Sequence, residues 1–330
     1  MQKEAGADRG AATDRRPSLE SALRVRWSRR LVRTGIAQAV TYTIFGATGK
    51  VGRATAGALR DQGQRVRAIV RDERRGRERV EWGCGLAVAD VRDRATIARA
   101  VDGADAVQVI CPIVPTALDA SAELRGVVDA FADALIAAPP PTVLAISDYG
   151  AELDSGTGVT LTFHHLEQRL RELPSDVTFL RSAEHMENWR RQVPAAVDSG
   201  VLGSLHHPLT KRFPTVSAPD LGAVAAELLT DEAPRSSSPR IVHLEGPQRY
   251  TALDVAATLS ELAGRDVVAR ELPRSDWVAA LQRGGVGASY AELVAELFDA
   301  HNAGRIDAEL GAGEVRHATT GLRAALSGLL

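Results

Sequence analysis

The chain has 330 residues, of which 45% are hydrophobic, and a formal net charge of −2. This length exceeds one ordinary domain of about 150 residues and allows a large buried core. The small net charge, with interspersed acids and bases, argues against a nucleic-acid-binding surface, and the lack of a run of about 18 apolar residues argues against a membrane span. Its two cysteines, Cys84 and Cys111, form no Cys-x-x-Cys pair, which favours a reducing, cytoplasmic location.

Residues 1–40 differ in character from the rest of the chain. Up to residue 39 they contain nine Lys or Arg against four acidic residues, and Leu19, Leu23, Trp27 and Leu31 recur every four residues. A basic amphipathic helix, a targeting presequence, a disordered tail and a misassigned start all fit this pattern. We expect a disordered or non-native extension, with the fold beginning at residue 41.

An apolar strand at residues 42–45 is predicted to run directly into a glycine-rich turn and a helix. Gly46 permits a tight turn, Gly49 lets the backbone approach a pyrophosphate, and Gly52 lets the helix pack against the strand. The N-terminus of the helix then faces the anion. The pattern predicts a dinucleotide site. Its predicted cofactor-binding residues are Gly46, Thr48, Gly49, Lys50, Val51 and Gly52.

A second strand is predicted at residues 65–70 and ends at Arg71. An acidic residue near this position binds the ribose 2′-hydroxyl of NAD, whereas an arginine suits the 2′-phosphate of NADP. Arg71 therefore favours NADP(H) over NAD(H). Arg74 and Arg75 could add charge-assisted hydrogen bonds, but the neighbouring acids also fit a solvated loop.

Three more strands, separated by helices, complete the first half of the chain. The alternation predicts an α/β Rossmann fold, a doubly wound parallel sheet with ligands at the carboxyl ends of its strands. Asp90 and Val91 are expected beside the adenine, with Asp90 as a cap of the next helix as the alternative. Ile110 should line the cofactor cleft. The strands are predicted at residues 85–90, 106–110 and 143–147.

From residue 41 nearly to its end, the chain resembles the NmrA-like atypical short-chain dehydrogenases. Five segments carry the resemblance: GATGKVG at 46–52, AIVRD at 68–72, ADVRD at 89–93, ISDYGAEL at 146–153 and TFLRSAEHMENW at 178–189. The family includes quinone and triphenylmethane reductases and catalytically silent redox sensors. Ser182 replaces the usual Pro of the last segment, and Glu184 and His185 replace apolar or aromatic residues. The resemblance implies a substrate pocket formed by Cys111, Pro112, His185, Met186, Asn188 and Trp189.

The catalytic residues match the short-chain dehydrogenase pattern only in part. Ser147 matches the serine of the short-chain dehydrogenase relay, but Thr160 and His164 stand where its tyrosine and lysine belong. No Tyr-x-x-x-Lys occurs in the chain. Hydride transfer to a quinone tolerates this loss, because water or a weak acid can protonate the resulting anion. Besides Ser147, the predicted catalytic candidates are Tyr149 and His164, with His165 beside it as a substitute acid.

The remaining chain, residues 191–330, predicts a smaller α/β substrate lobe that follows a Rossmann domain of residues 41–190. Some segments should return to the Rossmann sheet, among them a strand at 240–244. Helices are predicted after caps at Asp220, Thr251 and Ser275, and a lid-like helix at 290–301. No metal site is predicted, since the pairs His164–Glu167 and His206–His207 are more often ordinary polar residues.

Two functions are consistent with these observations. The first is an NAD(P)H-dependent oxidoreductase of the NmrA-like type that passes hydride from NADPH to a small quinone or carbonyl-type acceptor without the Tyr-Lys relay. The alternative is a catalytically silent NADP(H)-sensing protein that acts through protein partners. We expect a monomer or homodimer in either case.

Overall fold

The computed structural model describes residues 40–231 and 239–330. Apart from Val40, the predicted basic extension lies outside the described residues. Residues 232–238 also lie outside them.

The strands alternate with helices through the first half of the chain, as predicted. They are β1 (Thr41–Ile44), β2 (Arg65–Val70), β3 (Gly85–Val88), β4 (Ala106–Val109), β5 (Thr142–Asp148), β6 (Asp176–Ser182), β7 (Glu184–His185), β8 (Val201–Ser204), β9 (Thr215–Val216), β10 (Arg240–Glu245), β11 (Val268–Glu271) and β12 (Glu314–His317).

The helices connect these strands and cover both faces of the main sheet. They are α1 (Lys50–Asp61), α2 (Arg77–Glu81), α3 (Arg94–Val101), α4 (Ala120–Ala137), α5 (Leu161–Leu170), α6 (Val193–Ser199), α7 (Ala218–Thr230), α8 (Ala252–Ala263), α9 (Trp277–Arg283), α10 (Ala288–Asn302) and α11 (Leu322–Ser327). Short 3-10 helices span Glu73–Gly76, Gly158–Thr160, Met186–Arg191 and Arg274–Asp276.

Within residues 40–231 and 239–330, eight strands form one sheet in the order β12-β10-β6-β5-β4-β1-β2-β3. Every neighbouring pair in it is parallel. The strand order reverses at β1, because β1 pairs with β2 on one side and with β4 on the other. This order confirms the predicted Rossmann fold and places the ligand crevice at the carboxyl ends of β1 and β4.

The core lies on both faces of the sheet because successive residues of a strand point to opposite sides. Ile44 packs with Leu59 and Leu221 in one buried cluster, whereas the next residue, Phe45, packs in the other. There the Phe45 ring meets Phe131 edge-on, with ring centroids 4.8 Å apart. Each such buried side chain contributes about 1.5–3 kcal/mol, so the glycine-rich turn begins from a rigid strand.

Helices α1 and α7 lie unusually close on one face of the sheet. A Cβ atom added at Gly222 of α7 would lie 2.3 Å from the Val51 carbonyl oxygen and 2.6 Å from Ala54 Cβ. This contact connects the start of the glycine-turn helix to a helix from the second half of the chain.

The second half also supplies β10 and β12 to the sheet. The strand at residues 240–244 therefore returns to the sheet as predicted. Strand β12 was not predicted, because it is short and largely exposed and so lacks a clear apolar pattern. The division into lobes at residue 190 stays a prediction.

Two of the predicted helix caps differ in the structure. Thr251 does open α8 with a capping box to Asp254. Asp220, however, lies inside the first turn of α7, where it accepts hydrogen bonds from Thr320 instead of capping the helix. Ser275 donates to Asp276 within a 3-10 turn that precedes α9. Among the described residues, no helix is long and apolar enough to cross a membrane.

Candidate functional site

A cavity of about 430 Å³ lies at the carboxyl ends of β1, β2 and β4. We call it the cofactor crevice. It is lined by most of the predicted cofactor residues, namely Gly46, Thr48, Gly49, Lys50, Val51, Gly52, Arg71, Val91 and Ile110.

The glycine-rich turn has the geometry of a phosphate cradle. Gly46 adopts φ = 70°, and its carbonyl oxygen accepts a hydrogen bond of 2.8 Å from the Gly49 amide. A Cβ atom at Gly52 would lie only 2.4 Å from that carbonyl, so α1 packs directly against the turn. Gly49 is the N-cap of α1 and provides no side-chain cap. The first-turn amides of α1 are therefore available to an anion, and the site fits a dinucleotide phosphate.

A buried arginine, which the sequence analysis did not identify, supports this turn. The Arg79 Nε atom donates a 2.9 Å hydrogen bond to the Ala47 carbonyl, and the guanidinium lies 4.1 Å from the centroid of the Trp82 ring. Arg53 approaches the same ring at 5.0 Å. Arg79 thus holds the turn in place through this hydrogen bond. The two residues are 32 positions apart, so no local sequence pattern indicates the contact.

Two of the three basic residues considered for the ribose phosphate, Arg71 and Arg74, occupy different environments. Arg71 is exposed, lines the cofactor crevice and takes part in no ion pair within the described part of the chain. Arg74 instead pairs with Asp72 at 2.8 Å, so its guanidinium is already engaged.

Asp90 lies beside the crevice and not in its wall. It lines a small neighbouring cavity together with Arg71 and Val91. One of its carboxylate oxygens accepts a hydrogen bond from the Arg92 amide. The alternative expectation of a helix cap at Asp90 is wrong, because Asp93 caps α3 by accepting from the Ala95 amide.

A second cavity, of about 250 Å³, adjoins the cofactor crevice. We call it the acceptor cavity. Helix α10 covers it, as expected of the lid-like helix, and contributes Tyr290, Val294, Leu297, Phe298 and His301 to its wall. The two cavities share Ile110, Cys111, Ile113, His185 and Asn188.

The predicted pocket residues are divided among three cavities and the buried core. Cys111, His185 and Asn188 line both cavities, and Pro112 lines the cofactor crevice. Trp189 lines a third cavity of about 350 Å³ beside the acceptor cavity. Met186 is fully buried in the core of the second half of the chain, because its side chain packs with Trp189 and Phe213.

Ser147 is at the predicted place, but its hydroxyl group is committed elsewhere. It is buried and donates a 2.6 Å hydrogen bond to Glu167 Oε1. Glu167 in turn accepts two bonds of 2.8 Å from the buried Arg181 guanidinium, which also contacts Glu152. A hydroxyl that donates to a carboxylate cannot donate the same hydrogen to a substrate carbonyl. This geometry argues against the predicted catalytic role of Ser147.

Tyr149 lines the acceptor cavity, but its phenol is a poor proton donor. Its hydroxyl group is buried without a hydrogen-bond partner, and its ring meets His243 edge-on. Burial raises the pKa of this phenol far above its usual value. The two remaining candidate acids lie outside the described cavity walls: His164 contacts the Ala151 carbonyl and His165 contacts Asp129.

The acceptor cavity contains an acid that the sequence analysis overlooked. Asp148, between Ser147 and Tyr149 at the end of β5, is half-buried and lines the cavity. Thr160 donates to its Oδ2 atom at 2.6 Å. Burial, opposed by the Thr160 hydrogen bond and reinforced by the Glu184 charge, raises the pKa of Asp148 to about 7.

A buried histidine cluster supports the far wall of the acceptor cavity. His206 stacks on Phe213 with ring centroids 3.6 Å apart and contacts Glu184 through its Nε2 atom at 2.9 Å. The His301 ring is 5.8 Å from His206, and burial lowers the pKa of His301 to about 4. The sequence suggested only ordinary polar residues at His206 and His207. The contact of His206 with Glu184 joins residues 22 positions apart and could not be recognised from a local pattern.

Neither the cysteines nor a cluster of metal-ligating side chains adds a further site within the described residues. Cys84 and Cys111 are both free and buried, and burial raises the pKa of Cys111 to about 12. Among residues 40–231 and 239–330, no group of three or more His, Cys, Asp or Glu residues is arranged to hold a metal ion.

Comparison with known proteins decides the family. The sequence pattern of the NmrA-like family matches residues 38–316. The chain belongs to the NmrA-like family. It is 27% identical over 256 residues to an NAD(P)H azoreductase of Xenophilus azovorans, an alignment that covers 77% of this chain and 85% of the relative. It is 30% identical over 264 residues to a (4-alkanoyl-5-oxo-2,5-dihydrofuran-3-yl)methyl phosphate reductase of Streptomyces griseus, covering 77% and 83% of the two chains.

A solved structure shares the fold described above. The NADPH-dependent quinone oxidoreductase of Escherichia coli, crystallised with NADPH, superposes with a TM-score of 0.71 at 23% identity. The match covers 87% of this chain and 99% of that one. At this identity, the similarity establishes the common fold.

Proposed function

We propose that the protein is an NAD(P)H-dependent reductase that transfers hydride to a small quinone or carbonyl-type acceptor. The observation that carries the proposal is the shared wall of the cofactor crevice and the acceptor cavity. Hydride transfer requires donor and acceptor to be held in contact, and two adjoining cavities at the carboxyl ends of parallel strands provide this arrangement.

The chain would hold the cofactor chiefly through its backbone. The turn around Gly46 and Gly49 and the N-terminus of α1 would bind the pyrophosphate, while Ile110 and Val91 would line its path. When bound, the nicotinamide supplies the hydride, and the protein contributes orientation and exclusion of water. Two relatives support this assignment, one named as an NAD(P)H azoreductase and the other as a reductase.

We propose that the cofactor is NADP(H) in preference to NAD(H). Arg71 lines the crevice at the end of β2 and has no competing ion-pair partner among the described residues. A guanidinium in this position suits a 2′-phosphate, which NAD lacks.

The acceptor is expected to be small and conjugated. The acceptor cavity measures about 250 Å³ and combines aromatic and aliphatic walls with a few polar groups, including Asp148 and His185. An apolar cavity with sparse polar groups selects a flat hydrophobic molecule and orients its oxygen.

Calorimetric titration of Arg71→Ala with NADPH and NADH tests the cofactor assignment. Loss of one exposed charge-assisted bond should weaken NADPH roughly tenfold and leave NADH within about twofold. Arg74→Ala is the matched control, because Arg74 already pairs with Asp72. Equal losses for NADPH and NADH in the Arg71 variant would contradict the 2′-phosphate role.

The same samples test the reductase assignment when a panel of quinones is added and the absorbance of reduced nicotinamide is followed. Oxidation of NADPH that depends on the quinone is the expected result. Tight cofactor binding without oxidation by any acceptor would contradict the proposal and favour the alternative function as an NADP(H) sensor.

A further inference from the structure

The proposed reduction requires a proton as well as a hydride. A quinone or carbonyl that accepts hydride becomes an oxyanion, and the tyrosine that usually protonates it is missing from this chain. Ser147 and Tyr149 also line the acceptor cavity, but the Ser147 hydroxyl donates to Glu167, and burial raises the pKa of the Tyr149 phenol far above its usual value. A different group in the acceptor cavity must therefore supply the proton, or it must come from water.

Asp148 has the position that this role requires. It is the last residue of β5, where the carboxyl ends of the parallel strands form the crevice. Since successive side chains of a strand point to opposite faces, Asp148 is directed away from the Glu167 network that holds Ser147. It lines the acceptor cavity together with His185, which also lines the cofactor crevice.

The hydrogen bond at Asp148 leaves room for a proton. Thr160 donates to the Oδ2 atom at 2.6 Å, and Thr160 itself is fully buried. One carboxyl oxygen is thus fixed by a donor, which sets the plane of the group, while the carboxyl group can carry a proton on its other oxygen.

The surroundings of Asp148 favour its neutral form near neutral pH. Besides burial, the charges of Glu184 and Glu152 raise its pKa, and the bonds from Thr160 and the Tyr149 backbone oppose them, with a resulting pKa of about 7. The other titratable groups in the cavity wall are Cys111, Tyr149, Glu184, His185, Tyr290 and His301. Glu184 carries the charge just described, and burial raises the pKa values of Cys111 and Tyr149. Burial lowers the pKa of His185, lowers that of His301 to about 4 and raises that of Tyr290 to about 12. These three groups are therefore uncharged at neutral pH.

We propose that Asp148 is the catalytic acid, which protonates the reduced acceptor in place of the missing tyrosine. This inference rests on the proposed function. The acceptor gains two electrons and one hydrogen as hydride from the nicotinamide, which is oxidised, and its C=O π bond opens to an oxyanion. The O–H bond of Asp148 breaks as the O–H bond of the product forms, and water then returns a proton to the carboxylate. An acid whose pKa lies near the working pH is the most effective donor for such a step.

Asp148→Asn tests the inference in the full-length protein with NADPH and a quinone as probes. The amide can still accept from Thr160 but has no acidic proton, so kcat should fall about 100-fold while NADPH affinity stays within about twofold. The wild-type kcat should decline as the pH rises through about 7, because the acid form is lost, and the variant should lack this decline. Asp154→Asn is the matched control, since Asp154 is an exposed carboxylate in the following loop.

Thr160→Val provides a second variant and a readout that does not depend on turnover. Removing the donor that stabilises the carboxylate should shift the decline in kcat to higher pH. In the cofactor-free protein, infrared difference spectra should show a carboxyl C=O band that titrates near pH 7. The midpoint of this titration should lie at higher pH in Thr160→Val, and the band should be missing in Asp148→Asn. A wild-type carboxyl that titrates only near its usual value of about 4 would overturn the proposal.

The failure of this inference is distinguishable from failure of the proposed function. If the wild type oxidises NADPH with a quinone and Asp148→Asn does so at the same rate with the same pH profile, the reductase stands and Asp148 is not its acid. If the wild type oxidises no NADPH, both proposals are overturned.

Discussion

Replacing Gly52 by alanine tests how closely α1 is fixed against the glycine-rich turn. The new Cβ atom would lie 2.4 Å from the Gly46 carbonyl oxygen, 2.6 Å from its carbon and 2.9 Å from the Ala47 nitrogen. All three are backbone atoms, and ordinary contact begins near 3.4 Å, so α1 must move by about 1 Å. The N-terminus of the helix moves with it.

The magnitude follows from two opposing effects. Overpacking costs about 1–3 kcal/mol, whereas replacing glycine by alanine in a helix contributes about 0.5–1 kcal/mol of stabilisation. We expect the Gly52→Ala variant to lose about 1–2 kcal/mol of unfolding free energy. Because the amides at the N-terminus of α1 are displaced, the Kd for NADPH should rise at least tenfold, equivalent to about 1.4 kcal/mol.

Gly57→Ala on the same helix is the matched control. Its Cβ atom would meet no atom closer than 3.9 Å, the Trp82 ring. We therefore expect slightly higher stability, by about 0.5–1 kcal/mol, and an unchanged Kd. Urea denaturation and calorimetric titration measure both quantities. A Gly52→Ala protein that binds NADPH like the wild type would refute the account of the turn.

Two further predictions concern the buried polar networks. Ser147→Ala removes the hydrogen bond to Glu167 and should lower the unfolding free energy by about 1.5 kcal/mol, with little change in kcat. The control is Ser155→Ala at an exposed position, which should change neither the unfolding free energy nor kcat. Urea denaturation and turnover assays measure these two quantities. A large fall in kcat for Ser147→Ala would restore its predicted catalytic role. Burial lowers the pKa of His301 to about 4, below an unfolded value of about 6.5, so the unfolded chain binds more protons between these pH values. Stability should be complete above about pH 6.5 and fall by up to about 3 kcal/mol towards pH 4, and His301→Gln should flatten this slope in urea denaturation. An unchanged slope would contradict the assignment to His301.

The sequence was most informative where short-range geometry determines the structure. The spacing of Gly46, Gly49 and Gly52 fixes the turn and the start of α1 within seven residues, and all three line the crevice. The positions of Arg71 and Ile110 followed because the strand order of a Rossmann sheet places the ends of β2 and β4 at the same edge.

Side-chain partners set by tertiary packing could not be predicted in this way. The position of Ser147 in the sequence suggested a catalytic role, but its hydroxyl group donates its hydrogen bond to Glu167. Glu167 is 20 positions further along the chain and reaches Ser147 because α5 packs beside β5. The sequence singled out both neighbours of Asp148 and passed over Asp148 itself. Its importance comes from burial beside Glu184 and from Thr160, which only the folded chain provides.

Hydride transfer from NADPH to a quinone is tested most directly by an anaerobic single turnover, with enzyme in excess and the cofactor deuterated at the transferred position. We expect one quinol to form for each NADPH consumed, and we expect a primary isotope effect on the loss of nicotinamide absorbance. Bound NADPH that keeps its full absorbance in the presence of every quinone would contradict the assignment of this NmrA-like protein as a reductase.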